Sequence, residues 1–87
     1  MTYKLLAART AARALTEELP EAVAAAALEF VTGTLLENPQ RVGKQLRPPL
    51  DDKWSARRGQ YRVIYQIEEQ QRAVVVLQIS HRRDAYR

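Results

Sequence analysis

An α+β fold with elements in the order β-α-α-β-β-β is what this sequence of 87 residues predicts. Two observations carry that prediction. Apolar residues recur at helical spacing between Thr10 and Leu36, and the stretch from Trp54 to Ile79 turns to β-branched and aromatic residues broken by two short polar turns.

The opening Tyr3-Lys4-Leu5-Leu6-Ala7 is short and mostly apolar, and it stops before Thr10, a residue able to cap a helix, so it reads as an edge or near-edge strand. From Thr10 to Leu19, Ala11, Ala12, Leu15 and Leu19 form one face while Arg9, Arg13, Glu17 and Glu18 take the other. Pro20 suits the first turn of a second helix, where its missing N–H costs nothing, and Glu21 complements the positive end of the helix dipole. Val23, Ala27, Phe30, Val31 and Leu35 continue the apolar stripe to about Leu36, with Gly33 a weak point that can end the helix early. The two segments read as a helical hairpin whose alanines permit close packing.

Asn38-Pro39 stops the second helix, and residues 40–52, with Pro48 and Pro49 and little periodicity, read as a long loop. Val42, Leu46 and Leu50 are expected to tuck into the edge of the core. Beyond the loop, Trp54 to Arg57, Tyr61 to Ile67 and Ala73 to Ile79 are three antiparallel strands joined by turns at Arg58-Gly59-Gln60 and Glu68-Glu69-Gln70-Gln71. Period two places Tyr61, Val63, Tyr65 and Ile67 on one face and Arg62, Ile64 and Gln66 on the other. Trp54, Tyr61 and Tyr65, alternating in strands, belong to the core.

The length suits one domain over residues 1–87. Without cysteine, packing rather than disulfides or thiolate metal sites must hold it. The longest apolar run, Ala22 to Leu28, is far short of the ~20 residues a membrane helix needs, and no signal-peptide pattern is visible, so a cytoplasmic protein is expected. The net charge of +4 is unevenly spread: residues 1–40 carry three Lys/Arg against five Asp/Glu, whereas residues 41–87 carry eleven against five. A C-terminal half at +6 against −2 points to a polyanionic partner, with nucleic acid foremost, because guanidinium pairs bidentately with phosphate and stacks on bases. A solvated surface that keeps a small protein soluble is the plain alternative.

The string Trp54-Ser55-Ala56-Arg57-Arg58-Gly59-Gln60-Tyr61-Arg62-Val63-Ile64-Tyr65 and the ending Ile79-Ser80-His81-Arg82-Arg83-Asp84-Ala85-Tyr86-Arg87 resemble the RelE/ParE superfamily of toxins, with a weaker match at Gly43-Lys44-Gln45-Leu46. The resemblance implies a helical hairpin packed on one face of a small twisted, mainly antiparallel four-stranded sheet, with a concave basic face left open. On the RelE branch that face cuts messenger RNA in the ribosomal A site without a metal or other cofactor. On the ParE branch a similar fold inhibits DNA gyrase without a nuclease site. Both branches are neutralised by an antitoxin that wraps the toxin.

RNA cleavage of this kind requires O2′ to attack the neighbouring phosphorus in line, with a base near O2′, a cation on the phosphate and an acid near the leaving O5′. The resemblance assigns Arg62 to stabilising the phosphate as its charge builds, and Arg57, in the preceding strand, can share that phosphate by antiparallel pairing. It assigns Arg82, with Arg83 as rival, to the leaving oxygen, and Tyr86 to stacking on or orienting a base. Ser55 stands where RNA-cutting members often carry a basic residue, which puts the base step in doubt, since arginine is a poor general base. Lys53 and His81, the one histidine, are the candidates to fill that gap, against plainer readings as a surface lysine and a strand-end packing residue. Lys44, Arg47, Arg58 and Arg87 complete a basic surface for RNA and ribosome. The expected partners are a cognate acidic antitoxin, the ribosome and messenger RNA, with no membrane. A gyrase inhibitor and a catalytically degenerate antitoxin- or RNA-binding member are the alternatives, the latter kept open by Ser55.

Overall fold

The computed structural model describes residues 2–81. The strand sequences assemble into one five-stranded sheet. β3 (Trp54–Arg58), β4 (Tyr61–Glu68) and β5 (Ala73–His81) pair as consecutive antiparallel strands, while β1 (Lys4–Ala7) lies parallel to β5. The fifth strand, β2 (Lys44–Gln45), pairs with the outer edge of β3 and was not expected, being only two residues long and so without alternation to read.

The helical segments cover one face. α1 (Arg9–Arg13) widens into a π-helical turn at Ala14–Glu18, and α2 (Glu21–Thr32) follows. Gly33 breaks the stripe as its low helix propensity suggests, separating α2 from α3 (Thr34–Glu37). Thr10 does not cap α1: Ala8 holds that position, with no side-chain capping bond, and Thr10 lies inside the first turn. Ala11, Ala14, Ala27, Phe30, Val31 and Leu35 meet Val63, Tyr65, Val74, Val76 and Ile79 in the core, where small alanines let helix backbones approach the sheet.

Alternation in β4 buries Tyr61, Val63 and Tyr65 and leaves Arg62, Ile64 and Gln66 on the opposite face. β5 is less regular. Tyr65 pairs with Val76 but Ile64 pairs with Gln78, so Leu77 is an extra residue, and the bulge shifts the side-chain phase. Val74 and Val76 therefore face the helices before the bulge, and Ile79 does so after it.

The segment read as a plain loop has structure of its own. Pro39 begins a one-turn helix, α4 (Pro39–Val42), which leads through Gly43 into β2. The fully buried Tyr65 hydroxyl donates to the Pro39 carbonyl at 2.6 Å, tying this segment to the centre of the sheet. From the other side, Gln40 Nε2 donates to Glu69 Oε2 at 2.6 Å, and Tyr3 Oη donates to Glu69 Oε1 at 2.9 Å. Gly43 is needed for close approach: a Cβ there would collide with the Tyr65 hydroxyl and stand 2.9 Å from the Ser55 carbonyl oxygen. Val42 packs on the core and Leu46 is half-buried, but Leu50 is 49% exposed, in the run of turns between β2 and β3.

Burial pushes the Tyr65 phenol up to about 12, which sets a pH window for its contribution. Tyr65→Phe leaves the Pro39 carbonyl without this donor and should cost about 1–3 kcal/mol in denaturant unfolding at neutral pH. The unfolded phenol ionises near 10 and the folded one near 12. The wild-type advantage should thus hold below pH 10 and decline between those values. A wild-type-to-variant difference that stays constant to pH 12 would contradict this assignment.

Candidate nucleic-acid interface

The face of the sheet opposite the helices is organised by strand register. Arg57 is the Cα partner of Arg62, and Arg62 in turn is the partner of Ser80, so the three form one row across β3, β4 and β5. The adjacent row runs Lys44, Ser55, Ile64, Gln78 from β2 to β5. Directly opposed side chains on one face of an antiparallel pair have Cβ atoms about 4.5–5.5 Å apart, so the two arginine side chains leave the sheet side by side. Like charges so placed repel. Here the neighbouring pairs Ala56–Val63 and Trp54–Tyr65, buried or packed against the core on the other face, fix the register that opposes them.

The row opens into a groove of about 620 Å³ between β3–β4 and the segment running from α4 through β2. Its lining includes Arg41, Lys44, Arg47, Arg57, Arg58 and Arg62, six cations with no carboxylate among the described lining residues. The ion pairs among the described residues, Arg13–Glu17 and Lys53–Asp52, lie outside it. The field in the groove is accordingly positive from both walls, and an anionic ligand would be drawn in by several donors at once. Arg58 sits at the helix-side end, its guanidinium 4.9 Å above the Phe30 ring and its Nη1 donating to the Arg57 carbonyl at 3.1 Å. It is thereby more restrained than its neighbours.

The structure brings together Arg57, Arg62, Lys44, Arg47 and Arg58 of the residues expected at the site. Lys53 is not among the lining residues; its ammonium faces Asp52 at 3.4 Å, and Asp52 also accepts from Gln66 at 2.8 Å. His81 pairs with Tyr61, on the helix side, because the bulge at Leu77 moves Ser80 rather than His81 onto the arginine face. Neither Lys53 nor His81 is among the described residues that line the groove. Ser55 does line it, between Lys44 and Ile64 in its row. Arg82, Arg83, Tyr86 and Arg87 lie outside the described residues. Arg41 is a lining cation that sequence reasoning missed, since only the one-turn helix after Pro39 turns it toward the strands. Among the described residues no group of three His, Cys, Asp or Glu side chains gathers as metal ligands, and no helix is long and apolar enough to cross a membrane.

A family model described as the ParE toxin of a type II toxin-antitoxin system, parDE, matches residues 6–86. The chain is 48% identical over 85 residues to Toxin RelE of Mycobacterium tuberculosis, spanning 98% of this chain and 87% of that one. It is 45% identical over 87 residues to Toxin RelG of the same organism, spanning 100% and 99% of the two. The crystal structure of the toxin-antitoxin complex RelBE2 from M. tuberculosis matches with a TM-score of 0.90 and 43% identity, covering 94% of this chain and all of the matched one.

If the groove holds a phosphodiester backbone, Arg57→Ala should weaken binding of a single-stranded RNA oligonucleotide and lower the slope of log K against log salt by about 0.7 per contact removed. Lys53→Ala should leave that slope unchanged. Fluorescence anisotropy at several salt concentrations measures both, and equal losses for the two variants would count against the groove as the binding surface.

Proposed function

The chain belongs to the RelE/ParE toxin family of type II toxin-antitoxin systems, and from that premise we propose that it is a ribosome-dependent, metal-independent endoribonuclease that cuts messenger RNA in the A site. The observation that carries this reading is the opposition of Arg57 and Arg62 in a groove whose described lining has six cations and no carboxylate. Attack of O2′ on phosphorus forms the O2′–P bond, breaks the P–O5′ bond and passes through a phosphorane with one more negative charge than the ground state. Two guanidinium groups already aimed at the phosphate bind that state more tightly than the substrate, which is the requirement for catalysis.

The proton steps are assigned by chemistry and resemblance. Arg82, with Arg83 as rival, stabilises the departing O5′, which takes its proton from water, and Tyr86 stacks on the base. For O2′ the described residues of the groove include no carboxylate and no imidazole. Its cations instead favour the alkoxide by Coulomb attraction, so hydroxide or the ribosome removes the proton. Outside the reaction, an acidic antitoxin is the proposed partner: its charge complements the groove, and the similar RelBE2 protein crystallised as a toxin-antitoxin complex.

In a translating extract, Arg62→Ala should reduce messenger cleavage by about 10²–10³-fold, in the range seen when one transition-state donor is removed. Cleavage by the wild type should rise steadily from pH 6 to 9 rather than peak, because hydroxide supplies the base and the described groove residues include no carboxylate or imidazole. A bell-shaped profile centred near neutrality would assign the base to a side chain after all. Intact messenger at inhibitory doses would defeat the nuclease reading, and a concurrent loss of gyrase supercoiling would favour the inhibitor branch instead.

A further inference from the structure

One wall of the groove is carried by strands locked in the core. The other, with Arg41, Lys44 and Arg47, is carried by a one-turn helix, a two-residue strand and the irregular residues just after it, elements too short to hold a position by themselves. β2 contributes only the pairs Lys44–Ser55 and Gln45–Trp54, extended by a bond from Leu46 N to Lys53 O at 2.9 Å. The fixed point beneath this arm is Tyr65. Its side chain is fully buried on the helix side of β4, its ring stacks with Trp54 at 6.5 Å between centroids, and its hydroxyl donates to the Pro39 carbonyl at 2.6 Å. Gly43 closes directly over the same hydroxyl, at a distance no side chain would permit.

We propose that Tyr65 is a positioning residue for anion binding: through Pro39 and Gly43 it sets the separation between the Arg41–Lys44–Arg47 arm and the Arg57–Arg62 pair, and so decides whether one RNA backbone can touch both walls. Tyr65 contacts no ligand itself. Its effect passes entirely through the three cations of the arm, and this distinguishes positioning from general support of the fold. The inference rests on RNA being the groove's ligand.

The test is a double-mutant cycle read by binding of a single-stranded RNA oligonucleotide to the full chain at about 0.15 M salt. Tyr65→Phe should weaken binding about tenfold, as when several phosphate contacts are loosened rather than lost. The same loss should recur in an Arg62→Ala background. It should vanish where Arg41, Lys44 and Arg47 are already alanine, because no arm cations remain to be misplaced. Equal losses in both backgrounds, or no loss in the single variant, would overturn the proposal. Amide hydrogen exchange on the free protein provides a second readout, independent of the ligand. Tyr65→Phe should accelerate exchange at Val42 to Leu46 about tenfold or more beyond the acceleration at Val63, Val74 and Val76, whose amides report the loss of global stability. Uniform acceleration, or none, would reduce Tyr65 to a packing residue. Failure of the wild type to bind RNA would strike the functional reading, and the exchange result would still decide whether Tyr65 positions the arm. Gly43→Ala, which displaces the arm from above while keeping the phenol, should reproduce both signatures.

Discussion

Two guanidinium groups held opposite one another on adjacent strands repel, and the fold keeps them there because the other face of the same strands is committed to the core. Val63 and Tyr65 are fully buried, and a slip of one residue in β4 would send them to solvent and Arg62 inward. Burial of side chains this large stabilises by about 1.5–3 kcal/mol each, against a few tenths to 1 kcal/mol at stake between exposed, opposed charges. The helical layer therefore does more than complete the domain: by consuming one face of the sheet it enforces the charge arrangement on the other.

The groove has walls of different rigidity. β3 and β4 pair over five register positions, and Ala56, Val63 and Tyr65 anchor them in the core. The arm from Pro39 to Arg47 is held by a handful of polar contacts: the Tyr65 hydroxyl below, Gln40 with Glu69 and Tyr3 at one end, and Gln45 Nε2 to the Asp51 carbonyl at the other. The polyanion proposed above would use both walls, since among the described lining residues five arginines and one lysine divide equally between them, three from the arm and three from the hairpin. Such a division suits a ligand that bends, because a bent ribose-phosphate linkage presents phosphates on more than one side.

Much of the fold was legible in the sequence, since each long element carries its period. The helical hairpin, the strand triplet, the break at Gly33 and the core roles of Trp54, Tyr61 and Tyr65 all follow from spacing. The pairing of Arg57 with Arg62 was also accessible, because a two-residue turn at Gly59-Gln60 fixes the register of the strands on either side. What could not be read depends on tertiary contact or on irregularity. α4 and β2 are shorter than one period of any pattern, so Arg41 gave no sign of its position. The π-helical turn at Ala14–Glu18 has the same apolar spacing as the α-helix it extends, and Leu50 looks like any core leucine until its turn is placed. His81 is the instructive case: simple alternation from Val74 and Val76 would put it on the arginine face, and the bulge at Leu77 puts it on the other.

The central claim is that Arg57 and Arg62 grip the same phosphate. Its most direct test follows the side-chain Nε–Hε resonances of these two residues during titration with a dinucleotide made uncleavable by a 2′-O-methyl group. Both signals should move together with one apparent Kd, and the Arg57 shift should shrink sharply when Arg62 is alanine. Two unrelated binding curves, or Arg57 and Arg62 signals that stay still while the dinucleotide binds elsewhere, would contradict the account.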